Sequence, residues 1–404
     1  MKYIIFLYLF ILFPLKVSSD FSEDLKTIVN TKDCDWKCTF NYSEVTSKTI
    51  EYFPRNCEDV CAILTFNSNT DLAESELKRV FKQMHYLIGG LRIENSNITS
   101  LSFFTLIKVY DTFNFICDTC KLYHIYLIGL SIVNNSLLED IAILQNFQFW
   151  VTPHSAYECP FQILNNTKLD TTDNTTLKDM SFLKSLKEIR SKHGKINRNV
   201  VLNIHDNYEM RRLGLDNLEE LYDVLFGPFF INLENLHPEF CLTFEELLLF
   251  YEQRVLFNNI HAKYCPESKK KINGQKLCEI RSLDTLDSDC DYLLGDLVID
   301  SYEGRYLYKL FNVIVLFGTL KIQYTKLEGT NFFYNLEYIA SLNDSHPAIL
   351  VRSNKYLKQL KLPNLKVDSP SLTIHVISRH KDAVVIEDNP VLFSSNMECL
   401  MYRI

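Results

Sequence analysis

The residues of this sequence that could do chemistry are its cysteines, histidines and closely spaced acids. Three cysteine pairs have spacings that suit a metal: Cys34-x3-Cys38, Cys57-x3-Cys61 and Cys117-x-x-Cys120. No second run of cysteine or histidine at zinc spacing completes a four-ligand set. The spacings therefore favour disulfides over a metal site, and we predict no cofactor.

The sequence also lacks a recognisable catalytic constellation. It contains no phosphate-cradling glycine loop, no G-x-S-x-G and no H-E-x-x-H. The 10 histidines are scattered, and we interpret His193, His205 and His375 as surface or strand residues. Asp287 and Asp289 are interpreted as solvated loop charges and not as a general acid and base. We therefore predict a protein that is not an enzyme.

The first residues resemble a secretory signal. Lys2 supplies a charged start, residues 3–13 are apolar, and Ser18 and Ser19 are small residues at a cleavage site. We expect cleavage after Ser19, which gives a soluble extracellular product. No later run reaches the roughly 18 apolar residues of a spanning helix, so we expect no membrane span. The net charge of −8 argues against nucleic acid as a partner.

Cysteine use and glycosylation motifs agree with that location. All 12 cysteines follow the predicted signal, an even number in a chain sent to an oxidising compartment. The predicted local disulfides are Cys241 with Cys265 and Cys278 with Cys290, and spacing leaves the other pairings open. Six N-x-S/T motifs predict glycosylation sites at Asn41, Asn97, Asn134, Asn165, Asn174 and Asn343.

A repeating strand pattern organises the last third of the chain. Apolar alternation recurs about every 30 residues, which predicts stacked strands in a solenoid. The inward pairs are Leu297 and Ile299, Leu320 and Ile322, Ile349 and Val351, and Val384 and Ile386. Asn354 and Asn389 each follow a strand by three residues. We expect their amides to bond a tight turn and to take up left-handed geometry.

The front of the chain repeats this pattern, which indicates an internal duplication. LIGGLRI at 87–93 aligns with LFGTLKI at 316–322, and 57–66 aligns with 290–299. Asn135 and Asn166 occupy the places of Asn354 and Asn389. If these turn asparagines point inward, the preceding Asn134 and Asn165 point outward, where a glycan can be accommodated. A further partial copy, in the region 176–241, could extend the first solenoid or form a half-module.

Taken together, these motifs resemble the receptor L domain, the ligand-binding module of insulin and epidermal growth factor receptors. The motifs are C-x-x-L-x-G-x-L-x-I, then G-x-L-x-I, F-F-x-x-L-x-x-I and I-x-V-x-x-N-x-x-L-x-x-L-x-L-P-N-L. The resemblance covers 290–395 well, 57–170 moderately and 181–241 in part. It implies an α/β solenoid fold with two right-handed β-helix, leucine-rich-repeat-like L domains and short flanking helices.

The predicted organisation has five parts. Residues 1–19 are the signal peptide and 20–56 a cysteine-containing lead-in. The first L-like domain with extra rungs covers 57–260, a cysteine-containing connector 261–289, and the second L-like domain 290–404. We also expect helices at 74–84, capped by Asp71, and at 243–257, where Thr243 and Glu246 predict a capping box.

The candidate binding surface is the outward side of the strands, since alternate residues point away from the core. In the second solenoid these residues are Asp296, Val298, Lys321, Gln323, Leu350, Arg352, Val385 and Glu387. In the first they are Ile63, Thr65, Arg92, Glu94, Ser131, Val133, Gln162 and Leu164. Val298, Leu350 and Val385 would form an exposed apolar column unless loops or the other domain cover it.

The resemblance implies a secreted binding protein that does not itself signal. Its expected partner is a protein or peptide ligand, insulin-like or EGF-like, or a partner receptor. The alternative is an extracellular structural or adhesion protein that uses a leucine-rich-repeat-like surface. The oligomeric state is not indicated by the sequence.

Overall fold

The computed structural model describes most of the chain, with several gaps in its first half. The described residues are 25–26, 29, 34–104, 124–141, 144, 148–149, 161–166, 178–183, 186–191, 200–223, 229–266, 270–301, 303–365, 367–368, 373–374 and 376–392.

A long parallel sheet runs through the first half of the chain. Its strand order is β1-β2-β3-β4-β6-β8-β10-β12, with β5 paired to β4. The strands are β1 Thr39–Phe40, β2 Asp59–Phe66, β3 Tyr86–Glu94, β4 His124–Val133, β5 Gln148–Phe149, β6 Phe161–Leu164, β8 Val200–His205, β10 Phe229–Glu234 and β12 Val255–Ile260. Strands adjacent in the chain are mostly neighbours in the sheet, which is the order that stacked repeats produce.

Two shorter parallel pairs accompany this sheet. β7 Glu188–Ser191 pairs with β9 Glu220–Asp223, and β11 Cys241–Leu242 pairs with β13 Lys263–Tyr264. β7, β9 and β11 lie between successive strands of the long sheet, and β13 follows its last strand. The region 176–241, whose status the sequence left open, thus contributes two strands of the long sheet, β8 and β10.

The second half holds two sheets, whose strands are parallel except for the antiparallel pair β14–β15. One has the order β14-β15-β16-β18-β20-β24 and the other β17-β19-β21-β25. The strands of the first are β14 Lys271–Ile272, β15 Gln275–Glu279, β16 Tyr292–Leu294, β18 Val315–Phe317, β20 Tyr338–Ser341 and β24 Ile377–Ser378. Those of the second are β17 Leu297–Ile299, β19 Leu320–Gln323, β21 Ile349–Arg352 and β25 Val384–Glu387. A small antiparallel pair, β22 Val367–Asp368 and β23 Thr373–Ile374, completes this half.

Each repeat therefore crosses two sheets with a bend between them. Gly318 makes that bend between β18 and β19, with φ of 155°. A Cβ atom there would lie 2.0 Å from the carbonyl oxygen of Gly295 on the preceding repeat, so only glycine fits. Gly89, which aligns with Gly318 in the duplicated motif, has a similar φ of 150°. The shared backbone geometry supports the internal duplication.

The residues predicted to point inward form the core. Leu297, Ile299, Leu320, Ile322, Ile349 and Val351 are all buried, and Val384 and Ile386 of the last described strand are half-buried. Burying each such side chain contributes about 1.5–3 kcal/mol. Within the described residues the sheets do not close into a complete coil. What the structure shows of the predicted solenoid is its stacked parallel sheets.

The two α-helices that the sequence predicts flank the sheets, and both are shorter than predicted. α1 covers Glu74–Val80, followed by a 3₁₀ turn at Phe81–Gln83. The proposed Asp71 cap is wrong: Ala73 is the N-cap, and the Asp71 carboxylate instead accepts from the backbone and hydroxyl of Ser47. α2 covers Phe244–Glu252 and ends where β12 begins. Other 3₁₀ helices are Trp36–Cys38, Ile50–Tyr52, Ser181–Leu183, Glu303–Leu310 and Asn331–Phe333.

The turn asparagines form a buried ladder in each half. Asn354 accepts from the backbone of Thr325 at 3.0 Å and donates to the Ile322 carbonyl at 2.9 Å on the preceding repeat. Its own backbone N–H donates to the side chain of Asn389 on the next repeat at 3.0 Å. In the first half, the side chains of Asn135, Asn166 and Asn207 each donate to a strand carbonyl of the preceding repeat. The backbone N–H groups of Asn135 and Asn166 donate to the side chain of the next ladder asparagine.

The predicted left-handed geometry lies one residue earlier than expected. Positive φ occurs at Asn134, Asn165, Ser353 and Asp388, and not at the ladder asparagines that follow them. The left-handed residue turns the chain out of the strand, and this rotation directs the next side chain into the core. Turn formation and ladder bonding are thus divided between two neighbouring residues.

Helix α2 and strand β13 join the two halves. Phe244 packs on Phe317 with ring centroids 4.6 Å apart, and the Tyr251 ring lies against Tyr338. The Tyr264 hydroxyl donates to the Ala340 carbonyl at 2.6 Å. These side chains belong to one hydrophobic cluster that continues from the first half into the second. The halves therefore share a core.

Four disulfides are present among the described residues. Cys241–Cys265 and Cys278–Cys290 are the two local pairs predicted from the sequence. Cys34–Cys61 and Cys38–Cys57 tie the lead-in to strand β2 and its approach. Each closes a short loop and so restricts the unfolded chain, a contribution of roughly 2–4 kcal/mol. Cys117 and Cys120, whose spacing the sequence analysis noted, lie outside the described residues.

Candidate ligand-binding face

The four strands β17, β19, β21 and β25 place the candidate residues of the second half in two rows. The pairing register aligns Val298, Lys321, Leu350 and Val385 in one row, and Gln323, Arg352 and Glu387 in the next. These residues alternate with the buried ones, so both rows lie on the outward side of the sheet. The structure thus brings together all eight residues singled out in the sequence, with Asp296 just before β17 and paired with Lys321.

The first row is largely apolar. Val298 is 37 % exposed, and Leu350 and Val385 are half-buried by their neighbours on the same face. None of the three belongs to a hydrophobic core cluster among the described residues. The apolar column predicted from the sequence is therefore an outward surface feature, which is typical of an interaction site.

Lys321 interrupts the apolar row with a charge that is already paired. Its ammonium lies 2.9 Å from the Asp296 carboxylate, and its side chain is 14 % exposed. Burial acts to raise the pKa of Asp296. The hydrogen bond and charge of Lys321, together with the hydrogen bonds from Thr319, have a larger opposite effect, so the pKa of Asp296 lies below its usual value. Lys321 is thus held within the sheet and is not free to bind a ligand.

The second row ends in a charged cluster. The Arg352 guanidinium donates to the Tyr324 hydroxyl at 3.0 Å and lies 3.7 Å from the Glu387 carboxylate. The Arg352 side chain is 41 % exposed. Sequence reasoning missed Tyr324, because it stands in the left-handed turn after β19 and not in the strand. Its exposed fraction of 56 % makes it part of the accessible surface.

The outward face of the first half has a different chemistry. One row runs across the whole sheet, pairing Thr65, Arg92, Ser131, Gln162, Asn203, Asn232 and Asn259 in order. The last three are linked by side-chain amide bonds of 2.9 and 2.8 Å. Every member of this row is polar, so the row offers hydrogen-bonding groups, whereas the first row of the second half is largely apolar. The sequence analysis named the first four members and missed the three asparagines.

Ile63 corrects one expectation for the first face. It points outward as predicted but is only 2 % exposed, because Leu25 packs on it. The segment before the first strand therefore covers the end of this sheet. Glu94, Val133 and Leu164, the other predicted outward residues, are half-buried in the neighbouring row.

The described glycosylation motifs lie at the surface to different degrees. Asn134 and Asn165 are exposed, while the adjacent Asn135 and Asn166 are buried in the ladder, as the sequence predicts. Asn41 and Asn97 are also exposed, and Asn343 is half-buried. Asn174 lies outside the described residues. Whether glycans are attached stays a prediction.

Two further properties of the described residues bear on the class of protein. No group of three or more His, Cys, Asp or Glu side chains in this part of the chain is placed to hold a metal ion. Across the same residues, no helix has the length and apolarity needed to cross a membrane.

The fold defines a class of protein: stacked parallel repeats joined by asparagine ladders, with an outward strand surface. The receptor L domain family matches residues 167–253 and 289–404, together just over half of the chain. The chain belongs to the receptor L-domain family. Receptor L domains are non-enzymatic modules with a β-helix-like fold that bind protein ligands. No curated protein matches the chain.

The two matched segments lie one in each half of the chain. The first begins at 167, so the strands β1 to β6 precede it, although they form one continuous sheet with the strands that follow. The second begins at 289, next to Cys290, where the sequence placed the start of the second module.

Proposed function

We propose that this chain is a secreted binding protein that holds a peptide or small protein ligand on the outward face of β17, β19, β21 and β25, without signalling itself. The ligand class is insulin-like or growth-factor-like, as the family resemblance implies. In this proposal the two halves, 57–260 and 290–404, are two right-handed L-type β-helices with 261–289 between them. The extracellular location is supported by the four disulfides among the described residues.

The observation that carries the proposal is the apolar row of the second half. Val298, Leu350 and Val385 stand in register on a sheet face that the hydrophobic clusters of the described residues do not include. Apolar residues surrounded by polar and charged ones form the usual anatomy of a protein interface. The neighbouring Arg352 and Tyr324 are residue types enriched at the centres of binding energy.

The test replaces the apolar row and measures ligand binding. The wild-type chain is first used to select a peptide from an insulin-like and growth-factor-like panel. Leu350→Glu and Val385→Glu should each weaken binding of that peptide by at least about tenfold. Secreted yield should be unchanged, because both side chains point away from the core. Lys321 is unsuitable for this test, since reversing its charge would break the pair with Asp296 inside the protein.

Matched controls come from the first half. Val133 and Leu164 are half-buried apolar residues on the outward face of the long sheet, so Val133→Glu and Leu164→Glu make the same chemical change elsewhere. Loss of binding in the controls, with full binding in the Leu350 and Val385 variants, would contradict the proposed site. Binding to no peptide of the panel, together with binding to matrix or cells, would favour the adhesion alternative.

A further inference from the structure

A group of lysines lies beside the candidate face, where the chain turns away from β19 and β21. Segments 325–330 and 354–361 run side by side there: the backbone N–H of Lys358 donates to the Glu328 carbonyl at 2.9 Å, and Gly329 forms a parallel bridge with Gln359. Four exposed lysines stand on these two segments, and we call them the lysine patch: Lys326, Lys355, Lys358 and Lys361.

The lysine patch carries more positive charge than its surroundings neutralise. Lys358 pairs with Glu328 at 2.8 Å. Lys326, Lys355 and Lys361 have no ion-pair partner among the described residues. Of the acids at the end of β25, Glu387 lies 3.7 Å from the Arg352 guanidinium, and Asp388 accepts a hydrogen bond from the Ser353 hydroxyl.

This arrangement is unfavourable for the fold taken alone. Neighbouring parallel segments lie about 4.8 Å apart, and like charges placed across them repel. Lys326 stands on one of these two segments, and Lys355, Lys358 and Lys361 stand on the other. The chain as a whole has a net charge of −8, so the excess of positive charge here is local and not a consequence of composition. An anionic partner would remove the repulsion.

The form of the patch points to a linear polyanion. Lys355, Lys358 and Lys361 recur every third residue along one segment, while Leu357, Leu360 and Leu365 of that segment are buried, so the charges follow a line on the surface. Exposed tyrosines lie among them: the Lys355 ammonium is 5.9 Å from the Tyr356 ring, and Tyr324 begins the neighbouring segment. Aromatic faces can pack on the C–H faces of sugar rings while the ammonium groups contact sulfates.

We propose that the lysine patch binds a sulfated polysaccharide of the extracellular matrix. This surface is separate from the apolar row, so one chain could hold a peptide ligand and be retained on matrix together. The proposal rests on the extracellular location in the proposed function, but it does not depend on the identity of the peptide.

The test measures binding of the full chain to immobilised heparin in about 0.15 M NaCl, which is close to the physiological ionic strength. Replacing Lys326, Lys355 and Lys361 together by Gln should weaken binding by at least about tenfold and lower the slope of log affinity against log salt by about 2–3. The matched control replaces three exposed cations of α1 and its 3₁₀ turn, Lys78, Arg79 and Lys82, by Gln. The control should bind heparin as the wild-type chain does.

The proposal would be overturned if the wild-type chain failed to bind heparin or if both triple variants lost heparin binding equally. Equal binding to heparin and to desulfated heparin would also overturn it. Binding of polyglutamate in preference to heparin would likewise contradict it, and would assign the patch to an acidic peptide. Peptide binding by the patch variant should be unchanged. This readout distinguishes failure of the patch from failure of the apolar row.

Discussion

At the scale of single residues, the ladder asparagines explain how repeats of different length stack in register. The Asn354 amide makes all four of its possible bonds: it accepts from the Thr325 N–H and hydroxyl and donates to Ile322 and Asn389. An aspartate could not donate, and a glutamine would be too long for the same buried position. The side chain fixes the turn of one repeat to the strand end of another.

Asn354→Ala should therefore lower the free energy of unfolding by about 3 kcal/mol, because buried backbone groups lose their partners. Urea unfolding of the two proteins measures this difference. Asn364→Ala is the control: this asparagine is exposed and makes one bond, to the Tyr334 carbonyl, so its loss should cost less than about 1 kcal/mol. Equal midpoints for the wild-type and Asn354→Ala proteins would refute the structural role of the ladder.

At the scale of elements, helix α2 shows how local sequence and tertiary burial combine. Thr243 accepts from the Glu246 N–H at 3.1 Å, and Glu246 accepts from the Thr243 N–H at 2.8 Å, which is the capping box that the sequence predicts. Glu246 is 9 % exposed. Burial raises the pKa of Glu246 to about 7, although the bonds from Thr243 act to lower it.

This pKa makes helix α2 sensitive to pH. Because the folded-state pKa lies above the unfolded value of about 4.5, the protonated carboxyl is favoured in the folded chain. Its stabilising contribution is full below pH 4.5 and is lost as the pH rises through 7. Relative to Glu246→Gln, the wild-type protein should lose up to about 3 kcal/mol between pH 5 and pH 8. Melting temperatures of both proteins across this range check it, and parallel pH profiles would disprove it.

At the scale of the whole molecule, the two halves present unlike faces from a shared core. The first face carries a polar row of seven residues, and the second carries an apolar row beside an arginine cluster. Helix α2, through Phe244 and Tyr251, and strand β13, through Tyr264, fix the halves together by contacts with β18 and β20. The molecule therefore combines duplicated backbones with diverged surfaces.

Phe244→Ala should weaken this connection. The side chain is buried against Phe317 and Tyr264, so we expect a loss of about 3–5 kcal/mol and separation of one thermal transition into two. Differential scanning calorimetry measures both effects. Tyr208→Ala, at a side chain that is 60 % exposed, should leave the trace unchanged. A single transition at the wild-type temperature in Phe244→Ala would show that the halves are joined by other contacts.

Much of the fold is determined by the sequence because its signals are local and periodic. Alternation at Leu320 and Ile322, or at Ile349 and Val351, specifies which side of a strand is buried without knowledge of its neighbours. The recurrence of these strands, and of the asparagines that follow them, predicts stacking and duplication. Cys241–Cys265 and Cys278–Cys290 were likewise readable as short loops that a disulfide could close.

Only the tertiary structure decided which outward residues are accessible and which are occupied. Lys321 and Arg352 are alike in the sequence, yet Lys321 is 14 % exposed and paired with Asp296, whereas Arg352 is 41 % exposed beside Glu387. Ile63 alternates correctly and is covered by Leu25, and the three asparagines after Gln162 join its row only through strand pairing. These properties depend on contacts between residues far apart in the chain. Periodicity carries no information about such contacts, because it records the direction of a side chain and not what lies above it.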